Sequence, residues 1–190
     1  NNIHIETSSA FDINIVETLM EEGKINKNTF IVCNGFKRDQ YVTNIARLIN
    51  NGHKNTIPVI DNFEELDLLQ EEIDGKFKIG IRIAAEEEPK FEFYTSRLGI
   101  GYKDIVPFYR KQIAENKKVE LKMLHFFINA GIRDTAYYWN ELLKCMKVYI
   151  ALKKECPTLD SLNIGGGFPI KNSLAFDYDY QYMVDEILNQ

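Results

Sequence analysis

The chain has 190 residues, 45% of them hydrophobic, and carries 23 basic against 28 acidic side chains for a net charge of -5. That is enough apolar mass for one sizeable core, and 12 Phe and 10 Tyr exclude a disordered chain. The acidic balance and the lack of any Lys/Arg run argue against a nucleic-acid partner, and no apolar run reaches membrane-spanning length.

Short apolar runs alternate with longer amphipathic ones. Strands are predicted over residues 3–6, 30–33, 57–60, 78–83, 120–127 and 161–164. Helices are predicted between and after them. Residues 10–22 carry Ile13, Val16 and Met20 at helical spacing. Residues 38–50 carry Val42, Ile45, Leu48 and Ile49, and Gly52 provides a stop. Asn62 and Glu65 bracket the start of a helix over 63–72 in capping-box spacing. Helices over 103–116 and 136–155 follow, the latter closed by Pro157, and residues 180–188 form a last one. The longest irregular stretch is 84–102, with Glu86–Glu88 and Pro89, a length usual for a functional loop.

Six βα units in a row predict a parallel sheet with helices outside it, either a doubly wound sheet or a (β/α)8 barrel. No dinucleotide fingerprint follows the first strand, which favours the barrel. Residue 1 is Asn and a buried-looking strand opens at Ile3, so the chain reads as a piece of a longer protein. Cys33, Cys145 and Cys156 are odd in number and widely spaced. They read as reduced structural thiols in a cytoplasmic protein, with neither a disulfide framework nor a metal site.

Polar residues collect after the strands: Glu6 to Ser9, Asn34-Gly35, Asp61, Arg82 to Ala85, Phe127 to Gly131, and Gly165-Gly166-Gly167. In a parallel barrel these ends share one face, where active sites lie. Loops are polar in any case, so this asymmetry alone decides nothing. The sharpest motif is residues 162–169, LNIGGGFP. Three glycines straight after a strand leave bare backbone whose N–H groups can converge on a phosphate.

That glycine run resembles the phosphate loop of the fold-type III pyridoxal-phosphate decarboxylases, which act on ornithine, arginine and diaminopimelate and share the alanine racemase barrel. Other stretches follow in the order that family requires: Glu6-x-x-Ser9-x-x-Asp12, the CNGFK run at 33–37, PVID at 58–61 with Glu64-Glu65-Leu66, GIRI at 80–83, SRLG at 96–99, and LHF at 124–126. The CNGFK run is similar to a segment of biosynthetic arginine decarboxylases.

The resemblance implies a partial (β/α)8 TIM barrel of the alanine racemase-like type, about six βα units, with residues 1–190 as the central part of the pyridoxal-phosphate-binding domain. The flanking barrel strands, the C-terminal β-domain and the cofactor-bearing lysine would lie outside this chain. It implies pyridoxal 5'-phosphate as cofactor, an amino acid as substrate and a homodimer or higher homo-oligomer. The activity implied is conversion of L-arginine to agmatine and CO2 for polyamine synthesis, the fragment itself being inactive. Ornithine, diaminopimelate or carboxynorspermidine as substrate remain open, as does a non-catalytic regulatory homologue.

In such enzymes the cofactor carries the hard chemistry, and the protein holds its phosphate and flanks its ring. By resemblance, Gly165, Gly166 and Gly167 take the phosphate, and Glu6 and Ser9 lie near the cofactor. Arg97 reaches the phenolic oxygen or a substrate carboxylate, or is a surface arginine. The family has His-x-Gly-Ser where this chain has Phe127-Ile128-Asn129-Ala130. Phe127 can stack on the ring but not hydrogen-bond. Ala130 loses a phosphate contact worth about 1 kcal/mol, with Asn129 as the candidate to compensate. His125 reads as a core histidine, and His4 and His53 carry no role.

Overall fold

The computed structural model describes residues 3–85, 98–128, 131–171 and 176–190. Within them, β1 (Ile5–Thr7), α1 (Ala10–Glu21), β2 (Ile31–Cys33), α2 (Asp39–Asn50), β3 (Thr56–Ile60), α3 (Glu64–Glu72), β4 (Phe77–Ala84), β5 (Ile100–Gly101), α4 (Tyr102–Phe108), β6 (Val119–Phe126), α5 (Ala136–Lys153), β7 (Ser161–Asn163) and α6 (Tyr180–Leu188) follow in order. All strand pairs are parallel, in the spatial order β1-β2-β3-β4-β6-β7. The architecture is a parallel partial barrel with helices on its outer side, as the alternation predicts.

Outward strand residues meet the helices. Ile31, Cys33, Ile60, Ile79, Ile81, Leu121 and Leu124 form one core with Ile13, Ile45, Leu66, Ile105, Leu142 and Leu152. Each of the Ile and Leu side chains among them, taken from water, contributes on the order of 2 kcal/mol. No helix among the described residues is long and apolar enough to cross a membrane.

Three details depart from the predicted elements. Pro107 lies inside the expected 103–116 helix. It removes an N–H from the ladder, and the next turn widens to a π-helix over Tyr109–Ile113. The unforeseen β5 pairs with the end of β4 beyond the point where β3 stops, and Gly99 N–H donates to the Asp61 carbonyl at 3.1 Å. Gly99 has φ +102, and a Cβ there would stand 2.7 Å from Ala84 N, so only glycine allows this approach. Third, β6 carries an irregularity. Ile79 pairs with Leu121 but Gly80 with Met123. The extra residue, Lys122, reverses which later side chains face inward.

At the start of α3, Asn62 Oδ1 accepts the Glu65 N–H at 3.0 Å, the first half of the predicted capping box. The second half is not made. The Glu65 carboxylate turns away to the N–H groups of Lys37 and Asp61, both at 2.9 Å. A reciprocal cap forms instead at α1, where Asp12 accepts the N–H groups of Ser8 and Ser9 at 2.8 and 2.9 Å.

Candidate functional site

The C-terminal ends of the parallel strands form one face, and the groups on it are built by register. Arg82, His125 and Asn163 occupy one row across β4, β6 and β7. Asp61, just past β3, lies 3.6 Å from Arg82. Glu6 on β1 accepts the Asn163 Nδ2 hydrogen at 3.0 Å. One interior thus gathers residues from five strands.

The glycine loop follows β7. Asn163 Oδ1 accepts the Gly165 N–H at 2.8 Å, so that amide is spent on shaping the loop. Gly165 has φ +74, and a Cβ there would press on the Phe126 carbonyl at 2.7 Å. Gly167 (φ +101) lies against Gly131 (φ +77), each so close that a Cβ on either would strike the other's backbone, at 2.9 and 2.5 Å. Ile132 N–H donates to the Gly167 carbonyl at 3.1 Å. The N–H groups of Gly166 and Gly167 meet no acceptor among the described residues, and the space at Gly166 is open to 4 Å. Of the three amides expected to form a phosphate cup, two are open among the described residues and the first is engaged by Asn163.

Phe127 sits beside this loop. Its ring edge is 3.2 Å from where a Gly165 Cβ would lie, and the Arg82 guanidinium carbon is 5.6 Å from its ring centroid. The aromatic ring therefore borders Gly165, the loop residue just before the two open amides.

Several polar atoms at this end of the sheet are buried without a hydrogen-bond partner: both carboxylate oxygens of Asp61, His125 Nδ1 and the side-chain amide of Asn34. Such groups are rare and call for a partner. Burial pushes the His125 imidazole down to about 4, the Arg82 guanidinium adding to this while Glu6 and Asn163 oppose it. Burial raises the Asp61 carboxyl, against the pull of Lys37 and Arg82. The two open amides and the aromatic ring beside the loop fit a phosphorylated heterocycle.

Of the expected site residues, Glu6, Phe127 and Gly165–Gly167 are brought together. Ser9 stands at the N-cap of α1, half-buried, its N–H held by Asp12. Arg97, Asn129 and Ala130 lie outside the described residues, as does the Glu86–Glu88 run. Gly35 of the CNGFK run has φ +79, and a Cβ there would stand 2.6 Å from the Ser8 carbonyl. It locks the loops after β1 and β2 together. Lys37 is wholly buried, with Nζ donating to the Gly35 carbonyl at 2.8 Å and to the Val59 carbonyl, and is not free to attack a carbonyl compound.

Sequence reasoning gave no site role to Asn163, Arg82, Asp61 or His125. Asn163 had a readable signal, because alternation puts it on the face opposite Leu162. His125 did not, because the irregularity at Lys122 switches its side.

Residues 4–189 match the family model described as pyridoxal-dependent decarboxylase, pyridoxal binding domain. The biosynthetic arginine decarboxylase of Prochlorococcus marinus (strain MIT 9215) is 27% identical over 186 residues, covering 94% of this chain and 27% of that protein. Diaminopimelate decarboxylase from M. jannaschi superposes with a TM-score of 0.78 at 20% identity, over 99% of this chain and 44% of that one. An SrLDC mutant in complex with PLP does so with a TM-score of 0.75 at 17% identity, over 98% and 45%. At these identities the solved structures establish the fold. The chain spans about a quarter of the length of the curated relatives it matches.

Proposed function

The chain belongs to the pyridoxal-dependent decarboxylases through their pyridoxal-binding domain, and from that premise we propose that the intact protein decarboxylates L-arginine to agmatine in the cytoplasm, for polyamine synthesis, as a homodimer or higher homo-oligomer. The observation that carries the cofactor part is the pair of amides at Gly166 and Gly167, unengaged among the described residues, with open space at Gly166 and the Phe127 ring beside Gly165. Arginine is supported by the CNGFK run and by the arginine decarboxylase relatives.

The bound pyridoxal ring supplies the sink for the electron pair left when CO2 departs. This chain's own residues hold and orient it. Gly166 and Gly167 donate to the phosphate, as backbone nests do for anions. Asn163 keeps the loop in shape, and Phe127 covers one side of the ring. Glu6, exposed at the end of β1, and Arg82, mostly buried on β4, bring opposite charges to this face. Ser9, Arg97 and Ala130 complete the proposed set.

The test uses the intact protein. It should show a visible cofactor band that borohydride abolishes, and should release CO2 from arginine in preference to ornithine, diaminopimelate or carboxynorspermidine. Preference for another of these amino acids would replace the substrate and keep the reaction class. Phe127 in place of a hydrogen-bonding ring partner favours one second reading, a homologue that regulates by binding and does not turn over. A missing visible band would favour that reading.

A further inference from the structure

Lys37 and Glu65 form an ion pair at 3.4 Å with side-chain exposures of 0% and 2%. Burial pushes the Glu65 carboxyl up, opposed by Lys37 and by the two backbone donors it holds. Through those donors and the two carbonyls on Lys37, the pair ties together the loop after β2, the end of β3 and the start of α3. Replacing a buried ion pair with apolar residues is often neutral or stabilising. Stability alone is therefore a poor reason for this arrangement, and what the pair holds becomes the question.

It holds Asp61. The Asp61 N–H is fixed on Glu65 and the Asp61 carbonyl on Gly99. Its carboxylate, 1% exposed, is then aimed at Arg82, 3.6 Å away. Arg82 in turn lies over Phe127, whose ring edge stands 3.2 Å from where a Gly165 Cβ would be. A series of neighbours runs from the buried pair through Asp61 and Arg82 to Phe127 beside the glycine loop.

We propose that Lys37 and Glu65 are positioning residues: they fix the Asp61 backbone so that its carboxylate steers the Arg82 guanidinium to its place over Phe127. The bearing of this on cofactor binding rests on the function proposed above.

Pyridoxal 5'-phosphate is titrated into the intact protein and followed by absorbance and fluorescence. Lys37→Met, Glu65→Gln and Asp61→Asn should each weaken binding about tenfold, and Arg82→Met at least as much. Asp61→Asn keeps the size and the pair, so it reports even where the pair variants fail to fold. Combined with Arg82→Met, Asp61→Asn should cost nothing further, because it acts through the same guanidinium. Additive losses, or full affinity in Asp61→Asn, would overturn the proposal. A crystal structure of cofactor-free Asp61→Asn gives a reading independent of the cofactor: the guanidinium should leave the Phe127 ring, and finding it unmoved overturns the proposal. If it moves while the wild type binds no pyridoxal phosphate, the positioning stands and the cofactor reading fails.

Discussion

The side-chain amide of Asn163 bridges Glu6, at 3.0 Å, and the Gly165 N–H, at 2.8 Å. It thereby joins β1 to β7, 157 residues apart in sequence. Asn163→Leu removes both bonds and strands a backbone donor. The expected loss is about 1–3 kcal/mol, read from the urea midpoint. A loss below about 0.5 kcal/mol would show that the bridge is incidental.

The glycines are expected to separate by role. Gly131→Ala and Gly167→Ala force a side chain into left-handed backbone, costing about 1–2 kcal/mol each, and add close approaches of 2.5 and 2.9 Å. The double variant should cost less than the sum, since one methyl already parts the loops. Gly166→Ala meets nothing within 4 Å. It should leave the melting temperature unchanged while weakening pyridoxal-phosphate binding in a spectroscopic titration. Equal destabilisation by all three would remove the distinction.

His125 gives the protein an acid sensitivity. Its folded value, near 4 through burial, lies below the usual imidazole value of about 6.5. The stability it contributes is complete above that usual value and is lost as pH falls toward the folded one. Over that window the loss amounts to about 3 kcal/mol. His125→Gln should flatten the profile of urea midpoint between about pH 6.5 and 4. A variant as acid-sensitive as the wild type would place the titrating group elsewhere.

Cysteine chemistry should report the core. Burial pushes the Cys33 thiol up to about 11 and the Cys145 thiol up to about 12, and Cys156 is buried as well. Thiolate is the reactive form. Alkylation of these three by iodoacetamide at neutral pH should therefore wait for unfolding, and mass spectrometry of the folded protein should find all three unmodified. Rapid native labelling at Cys33 would show that β2 is more open than its packing.

Much of the architecture was readable because helix and strand periods are local. Apolar spacing locates α2 and α5 closely, and the strand ends mark the face on which Arg82, His125 and Asn163 line up. The rest depends on events between strands. The Lys122 irregularity changes parity within β6, so a period of two read from Val119 puts His125 on the wrong side. Glu65 has the spacing of a helix cap, yet its carboxylate answers Lys37 and Asp61, 28 and 4 residues away. The sequence puts Asp61 and Arg82 on the same strand-end face but not in contact, since only folding brings them within 3.6 Å. The glycine run was plain in the sequence, but that its first amide is consumed by Asn163 was not.

The back-to-back fit of Gly131 and Gly167 also bears on how this face can be remodelled. Neither loop is a separate module. A graft that exchanges the segment after β6 must bring its counterpart after β7 with it, or the transplanted turn will arrive with a methyl where its neighbour's main chain already stands.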